Sequence, residues 1–133
     1  MDNDVQQPVI IIVEDEPDTA EMFAEMMRLS GYQVRKCHGG TRGIELIQQY
    51  KPDAVLLDIM MPDVSGLDVL HFMQRDPGLQ DIPVVVVSAK SMPTDIREGL
   101  QAGASLYLTK PVGFDDLRNA VANVIREHRI NKK

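Results

Sequence analysis

Five short runs of β-forming residues recur along the chain, and each is followed by a stretch in which apolar residues have helical spacing. The runs are Val9–Val13, Gln33–Cys37, Ala54–Leu57, Val84–Val87 and Ser105–Leu108. The helical stretches are one that begins near Pro17 and stops at Gly31, then Thr41–Tyr50, Gly66–Arg75, Thr94–Ala102 and Phe114–His128. Short connections between alternating strands and helices predict right-handed crossovers and a single parallel sheet. We therefore expect a doubly wound α/β domain of three layers.

The composition of the runs predicts which strands lie at the centre of the sheet. Val9–Val13, Ala54–Leu57 and Val84–Val87 are continuously apolar, as expected for parallel strands that helices cover on both faces. Gln33–Cys37 alternates polar and apolar residues, which is typical of an edge strand with one face in water. We expect the first, third and fourth runs to be central.

Charge and apolar patterning exclude several classes of function. The 20 acidic and 14 basic residues give a net charge of −6, so direct binding to nucleic acid or to an anionic membrane is not expected. The apolar runs are far shorter than the roughly 20 residues of a membrane-spanning helix. The N-terminus has no signal-peptide pattern, and we expect a cytoplasmic protein. The single cysteine, Cys37, is interpreted as a small buried side chain.

Polar residues follow four of the five predicted strands. Glu14 and Asp15 follow the first strand, Asp58 the third, Ser88 the fourth and Lys110 the fifth. The carboxyl ends of parallel strands share one edge of the sheet, where ligands of such folds bind. Carboxylates brought together there need a cation, and oxygen ligands without histidine or cysteine favour Mg²⁺. Taken alone, the acidic residues could instead be caps of the following helix.

Lys110 and Ser88 favour a phosphate site over separate helix caps. A carboxylate that attacks phosphorus needs nearby negative charge to be neutralised, and a metal ion with one fixed ammonium would do this. The Ser88 hydroxyl could donate a hydrogen bond to a phosphoryl oxygen.

Four motifs resemble those of response-regulator receiver domains, which are CheY-like. They are Ile11-Ile12-Val13-Glu14-Asp15-Glu16-Pro17, Leu56-Leu57-Asp58-Ile59-Met60-Met61-Pro62, Val87-Ser88-Ala89 and Gly103-Ala104-Ser105-Leu106-Tyr107-Leu108-Thr109-Lys110-Pro111. The resemblance covers residues 8–128, which we expect to form the receiver domain, with flexible termini at 1–7 and 129–133. It also implies a flavodoxin-like five-stranded sheet in the order 2-1-3-4-5.

The resemblance implies a role for each residue of the site. Asp58 would be the phosphoacceptor, and Ser88 and Lys110 would hold the phosphoryl group. The implied Mg²⁺ ligands are Asp15, Asp58, the backbone carbonyl of Met60 and, through water, Glu14. Tyr107 matches the aromatic residue that moves together with Ser88 on phosphorylation, and the Lys110–Pro111 peptide matches a cis peptide.

The implied function is that of a phosphorelay switch rather than an enzyme. The donor would be a sensor histidine kinase or a histidine phosphotransfer protein. Phosphorylation would change a protein-binding face formed by Thr94–Ala102, Ser105–Leu108 and Phe114–His128. The output protein or fused output domain is not indicated by the sequence.

Three other functions are weighed against this one. A phosphohydrolase of the haloacid dehalogenase type is disfavoured because Asp58-Ile59-Met60 lacks the second aspartate of its motif. A flavin or nucleotide binder is disfavoured because Glu14-Asp15-Glu16 stands where a phosphate loop has glycines. A pseudo-receiver that binds partners without phosphorylation is the remaining alternative, and the presence of Asp58 and Lys110 argues against it.

Overall fold

A computed structural model describes residues 7–131, in which five strands alternate with five helices. The strands are β1 (Val9–Val13), β2 (Gln33–Cys37), β3 (Ala54–Leu57), β4 (Val84–Ser88) and β5 (Leu106–Thr109). The helices are α1 (Pro17–Leu29), α2 (Gly40–Tyr50), α3 (Gly66–Arg75), α4 (Pro93–Gln101) and α5 (Phe114–Asn131). In these described residues, no helix is long and apolar enough to cross a membrane.

The sheet is parallel, and its strand order is β2-β1-β3-β4-β5. This confirms the predicted order, with β1, β3 and β4 at the centre and β2 at an edge. The last residue of β1, Val13, pairs with Leu57 of β3 and with Cys37 of β2. The carboxyl ends of the strands therefore lie level with one another at one edge of the sheet.

Two apolar clusters fill the space between the sheet and its two helical layers. Successive residues of a strand point to opposite faces, so Ile11 and Val13 belong to one cluster, whereas Ile10 and Ile12 belong to the other. The first cluster packs under α2 and α3, and the second packs under α1 and α5. These clusters confirm the predicted three-layer architecture.

The structure shifts a few predicted boundaries. β4 includes Ser88, which pairs with Thr109, and β5 begins at Leu106. Just before β5, the N–H of Ser105 donates to the carbonyl of Val84, and the Ser105 hydroxyl accepts from the N–H of Val84. α5 continues through Asn131, so 129–131, expected in a flexible terminus, continue that helix. The other residues of the predicted flexible termini, except Gln7, lie outside the described range.

The sequence of α1 contains two apolar rows at i, i+4 spacing, Met22 with Met26 and Phe23 with Met27, and these rows are unequally buried. Phe23 and Met27 lie in the core, as a helical apolar row predicts. The other row begins at Met22 and faces outward at that end, because 47% of Met22 is exposed. The apolar stripe of α1 is therefore narrower than its sequence suggests.

Candidate functional site

The three buried polar or charged residues of the described chain, Glu14, Asp58 and Ser88, all lie at the carboxyl edge of the sheet. Glu14 directly follows β1, Asp58 directly follows β3, and Ser88 is the last residue of β4. Lys110 directly follows β5 and reaches the same place. Burying a charge is costly unless it is paired, so the concentration of these groups at one edge marks this region as the candidate site.

Lys110 connects the two buried carboxylates. Its Nζ donates to Oε1 of Glu14 at 2.8 Å and to Oδ2 of Asp58 at 3.1 Å. The side chains of Glu14 and Asp58 are only 3% and 7% exposed, whereas that of Lys110 is 23% exposed. Burial lowers the pKa of the Lys110 ammonium, but the hydrogen bonds and charges of Glu14 and Asp58 outweigh this effect, so its pKa is raised. Lys110 therefore stays protonated and supplies the positive charge of the site.

Glu14 is held by more than its ion pair with Lys110. Its Oε2 accepts from the backbone N–H of Glu16 at 3.1 Å, and its own backbone carbonyl lies 3.0 Å from Nδ1 of His38. Burial is the largest influence on Glu14 and raises its pKa; the hydrogen bond from Lys110 works in the opposite direction, and the charge of Asp58 adds to the rise. Glu14 is thus a carboxylate whose ionised form depends on Lys110.

Asp58 is fixed by the backbone on both sides of it. Its N–H donates to the carbonyl of Val13 at 3.0 Å, and its Oδ1 accepts from the N–H of Met60 at 3.2 Å. Gly66, the first residue of α3, packs so closely that a Cβ there would lie 2.3 Å from the carbonyl oxygen of Asp58. A glycine at a helix start commonly provides backbone freedom, but the structure shows that Gly66 provides space beside Asp58.

Asp15 differs from the other acids because it is exposed. It lines an open cavity of about 480 Å³ together with Met60 and Lys90. Within residues 7–131, no group of three or more histidine, cysteine, aspartate or glutamate side chains is arranged to hold a metal ion. The structure therefore brings together Glu14 and Asp58 through Lys110 and places Asp15 at the rim, beside the loop that carries Met60.

Ser88 and Tyr107 contact the same stretch of backbone from two directions. The Ser88 hydroxyl accepts from the N–H of Lys90 at 3.2 Å, and the Tyr107 hydroxyl donates to the carbonyl oxygen of Lys90 at 2.7 Å. Burial raises the pKa of the Tyr107 hydroxyl. The loop after β4 therefore links these two residues, which the sequence paired only through the family resemblance.

Two residues around Tyr107 were not identified from the sequence. The backbone of Lys90 forms both hydrogen bonds just described, because its N–H donates to Ser88 and its carbonyl accepts from Tyr107, and no side-chain pattern could have revealed this role. Gly99 of α4 lies against the aromatic ring, because a Cβ at this position would come within 2.7 Å of Cδ2 of Tyr107. A glycine inside a helix is unfavourable without a packing reason, and that was the available signal.

The predicted cis peptide and the predicted burial of the cysteine are both observed. The Lys110–Pro111 peptide bond is cis and follows the lysine of the site directly. Cys37 is a free, buried cysteine at the end of β2. Burial raises the pKa of its thiol to about 11, so Cys37 contributes packing rather than reactivity.

Comparisons with known proteins place the chain in a family. The family model described as the response regulator receiver domain matches residues 10–122. Protein PilH of Pseudomonas aeruginosa is 37% identical over 116 residues, which cover 87% of this chain and 96% of PilH. Probable transcriptional regulatory protein TcrX of Mycobacterium tuberculosis is 40% identical over 113 residues, which cover 84% of this chain and 47% of TcrX. The chain spans less than half of the length of two other relatives as well.

A solved structure agrees with the fold. The CheY-like response regulator receiver domain protein of Methanospirillum hungatei superposes with a TM-score of 0.88 and covers 95% of this chain and 99% of its own. Its sequence identity of 22% supports the fold alone. The family match and the identity to PilH decide the assignment, and the chain belongs to the receiver domains of two-component response regulators.

Proposed function

We propose that this receiver domain is a phosphoacceptor in which Asp58 takes a phosphoryl group from a phosphohistidine of a partner protein. The observation that supports this proposal is the Lys110 ammonium, which contacts both Asp58 and Glu14 at a buried edge of the sheet. A purely structural carboxylate at the end of a strand would need no such arrangement. A lysine held among buried acids is a ready counter-charge for additional phosphoryl oxygens.

The chemistry requires Asp58 to act as a nucleophile toward phosphorus. An oxygen of its carboxylate forms the new P–O bond while the P–N bond to the donor histidine breaks. The electron pair of the P–N bond stays on nitrogen, and the ring leaves as neutral imidazole because its other ring nitrogen already carries a proton. The N–H of Met60 and the ammonium of Lys110 orient the Asp58 carboxylate before the reaction. Lys110 then balances charge on the phosphoryl group, and the Ser88 hydroxyl, which is at the same edge, donates to a phosphoryl oxygen.

Mg²⁺ is the cofactor that we propose for this step. Asp15, Asp58 and the backbone carbonyl of Met60 offer the hard oxygen ligands that Mg²⁺ prefers, and Glu14 assists through water. Asp15 and Met60 line the same open cavity, which has room for the water ligands that Mg²⁺ retains. When bound, the ion would neutralise negative charge on the phosphoryl oxygens, as Lys110 does.

The proposed output is a change of a protein-binding face. The domain would then be a signalling domain rather than an enzyme that acts on other substrates. Ser88 and Tyr107 both contact Lys90, so a movement of Ser88 toward a phosphoryl group would alter the hydrogen bond of Tyr107. Tyr107 lines a cavity of about 620 Å³ with residues of β5 and α5. Such a movement shifts binding only if the partner contacts the two states differently.

We propose a cytoplasmic site of action, because histidine kinases and phosphotransfer proteins would have to reach Asp58 there. The relatives differ in what surrounds the receiver domain, since TcrX is twice as long as its matched part and PilH is almost entirely covered. The partner that reads the phosphorylated state is therefore either a separate protein or a fused domain.

The experiment that tests this function is an intact-mass measurement after incubation with acetyl phosphate, with and without Mg²⁺. We expect a gain of one phosphoryl group that requires Mg²⁺ and is lost in Asp58→Ala. Asp53→Ala is the matched control, because Asp53 is an aspartate that accepts a backbone hydrogen bond at the opposite edge of the sheet. It should be phosphorylated like the wild type.

Two outcomes would count against the proposal. Phosphoryl uptake that persists in Asp58→Ala would assign the acceptor to another residue. The absence of uptake under every condition, in protein that is folded by circular dichroism, would favour a pseudo-receiver that binds its partners without phosphorylation.

A further inference from the structure

Helix α2 begins without a side-chain cap of its own. The residue at its N-cap is Gly39, which has no side chain to accept a hydrogen bond from the first turn. The first backbone N–H groups of a helix lack partners within the helix and need an acceptor from elsewhere. That acceptor is Asp63, which lies in the loop between β3 and α3. Its Oδ1 accepts from the N–H of Gly40 at 3.2 Å and its Oδ2 from the N–H of Thr41 at 3.1 Å.

The contact between this loop and α2 depends on two glycines. A Cβ at Gly39 would lie 3.1 Å from Oδ2 of Asp63, which is tight. A Cβ at Gly40 would lie 2.5 Å from the carbonyl oxygen of Val64 and 2.9 Å from its Cβ, which is closer than side chains pack. The loop and the helix N-terminus are therefore fitted to one another at van der Waals distance.

Electrostatics favour the ionised form of Asp63 at this position. The backbone N–H of Val64 and the N–H groups of Thr41 and Gly40 hold the pKa of its carboxyl far below the ordinary value. The positive end of the α2 dipole acts in the same direction. Asp63 thus stays charged and keeps its hydrogen bonds over the whole physiological pH range.

Met60 lies in the loop between β3 and α3, between two points at which this loop is fixed. On one side, its own N–H donates to Oδ1 of Asp58. On the other side, three residues later, Asp63 attaches the loop to α2. The loop then returns to the site, because the N–H of Gly66 donates to the carbonyl of Ile59 at 2.9 Å. Since Met60 itself is 55% exposed, its position depends on these anchors and not on burial.

We propose that Asp63 is a positioning residue for Mg²⁺, which holds the backbone carbonyl of Met60 in place by attaching the β3–α3 loop to the N-terminus of α2. This inference rests on the proposed function, in which the Met60 carbonyl is a metal ligand. It assigns to Asp63 a role at the site although its carboxylate contacts none of Glu14, Asp58 or Lys110. Groups that orient a metal ligand in this way typically change metal affinity by about 10-fold to 100-fold when removed.

Two variants break the attachment from opposite sides. Asp63→Ala removes the acceptor, and Gly40→Ala places a methyl group against Val64 without changing any charge. Because alanine is a better helix former than glycine, Gly40→Ala does not weaken α2 itself. Asp63→Asn keeps one carbonyl oxygen as an acceptor and serves as the conservative variant. Asp53→Ala is the control for loss of an aspartate, since Oδ2 of Asp53 accepts from the N–H of Val9 at 2.7 Å on the far edge of the sheet.

The protein is titrated with MgCl2 alone, and binding is measured in two ways. Isothermal titration calorimetry gives the Kd, and NMR monitors the shifts of the Met60 and Thr41 amides. We expect the Kd for Mg²⁺ to rise about 10-fold in Asp63→Ala, which is the lower end for a group that orients a ligand. Gly40→Ala should shift in the same direction, Asp63→Asn should fall between, and Asp53→Ala should match the wild type. Far-UV circular dichroism establishes that each variant is folded.

The outcomes separate this inference from the proposed function. If the wild type binds Mg²⁺ and is phosphorylated, but Asp63→Ala and Gly40→Ala bind Mg²⁺ as the wild type does, the positioning role is wrong and the phosphoacceptor proposal stands. An equal loss of affinity in Asp53→Ala would also overturn the role, because it would trace the effect to general destabilisation. If the wild type neither binds Mg²⁺ nor accepts a phosphoryl group, both proposals fail.

Discussion

Replacing Lys110 by methionine would remove the positive charge that two buried carboxylates share. Glu14 and Asp58 would then face one another with 3% and 7% of their side chains exposed and no ammonium between them. Methionine retains the length and apolar stem of lysine, so the change isolates the charge. We expect the variant to fold but to be less stable at neutral pH.

The expected loss of stability in Lys110→Met follows from the burial of Glu14 and Asp58. Breaking a buried ion pair by removing one partner costs about 3–5 kcal/mol. Lys110 keeps 23% of its side chain exposed, so water reaches the ammonium position and softens the penalty. We therefore expect the free energy of unfolding to fall by about 3 kcal/mol at about pH 8, the lower end of that range.

The loss should depend on pH because Glu14 can take up a proton. Burial already raises the pKa of Glu14, and the hydrogen bond from Lys110 opposes this rise, so removing Lys110 raises that pKa further. A carboxyl whose pKa is higher in the folded than in the unfolded state binds its proton more tightly when the protein is folded. It therefore stabilises the fold at pH values below its unfolded pKa, and this stabilisation is lost as the pH rises through its folded pKa. The deficit of Lys110→Met should thus be small near pH 5 and reach its full size by about pH 8.

Urea unfolding followed by far-UV circular dichroism at several pH values measures this deficit. Lys36→Met is the matched control, because Lys36 pairs with Glu21 at 3.4 Å on the surface, where both side chains are exposed. Exposed pairs contribute only about 0–1 kcal/mol. A deficit in Lys110→Met that is the same at both ends of the pH range, or no larger than that of Lys36→Met, would refute the reasoning.

Three further predictions concern single positions. Because burial raises the pKa of the Cys37 thiol to about 11 from an ordinary 9.0, its thiolate fraction near pH 8 should be about 100-fold below that of an exposed cysteine. Iodoacetamide should therefore label it slowly in the native protein and rapidly in urea, as followed by mass spectrometry; equal rates would contradict this. Gly66→Ala should lower the free energy of unfolding by about 1–3 kcal/mol and slow phosphoryl uptake, because the new methyl group meets the Asp58 carbonyl. An unchanged melting temperature and unchanged uptake would show that α3 can shift freely. Gly99→Ala should displace the Tyr107 ring and change its NMR resonances, despite the better helix propensity of alanine; unchanged ring resonances would show that the ring position does not depend on Gly99.

The fold could be predicted because its determinants are local patterns. Continuous apolar runs such as Val9–Val13 identify strands covered on both faces, and the alternation in Gln33–Cys37 identifies an edge. Boundaries shifted where a distant residue decides the pairing. Ser105 lies just before β5, where its hydroxyl accepts from the N–H of Val84, which is 21 residues away.

The meeting place of the site residues was also predictable, but their contacts were not. Strand order alone brings Glu14, Asp58 and Lys110 to one edge of the sheet. The sequence assigned Lys110 to the phosphoryl group and a metal ion to the acids, whereas the structure shows its ammonium in direct contact with both carboxylates. Which acid a lysine contacts depends on side-chain rotamers and on how deeply each side chain is buried. Neither property follows from the spacing of the residues in the sequence.

The loop contacts were the least accessible to sequence analysis. Asp63 lies outside the four motifs of the sequence analysis, and its role as the cap of α2 joins residues 23 positions apart. The hydrogen bond from Tyr107 to Lys90 ends on a backbone carbonyl, which carries no information about residue type. Such contacts follow from the assembled fold, and the glycines at 39, 40 and 99 are the trace that they leave in the sequence.

The ion pair between Lys110 and Glu14 joins positions 96 residues apart, at the two ends of the sheet-forming chain. Closing so long a segment comes at a cost in chain entropy that must be met before this contact can form. The lysine reaches the acids only once the fifth strand has joined the edge of the sheet, so an incomplete or locally opened domain holds an acceptor without its counter-charge. Under the proposed function, a domain whose fifth strand has not joined the sheet would lack the ammonium that phosphoryl transfer to Asp58 needs.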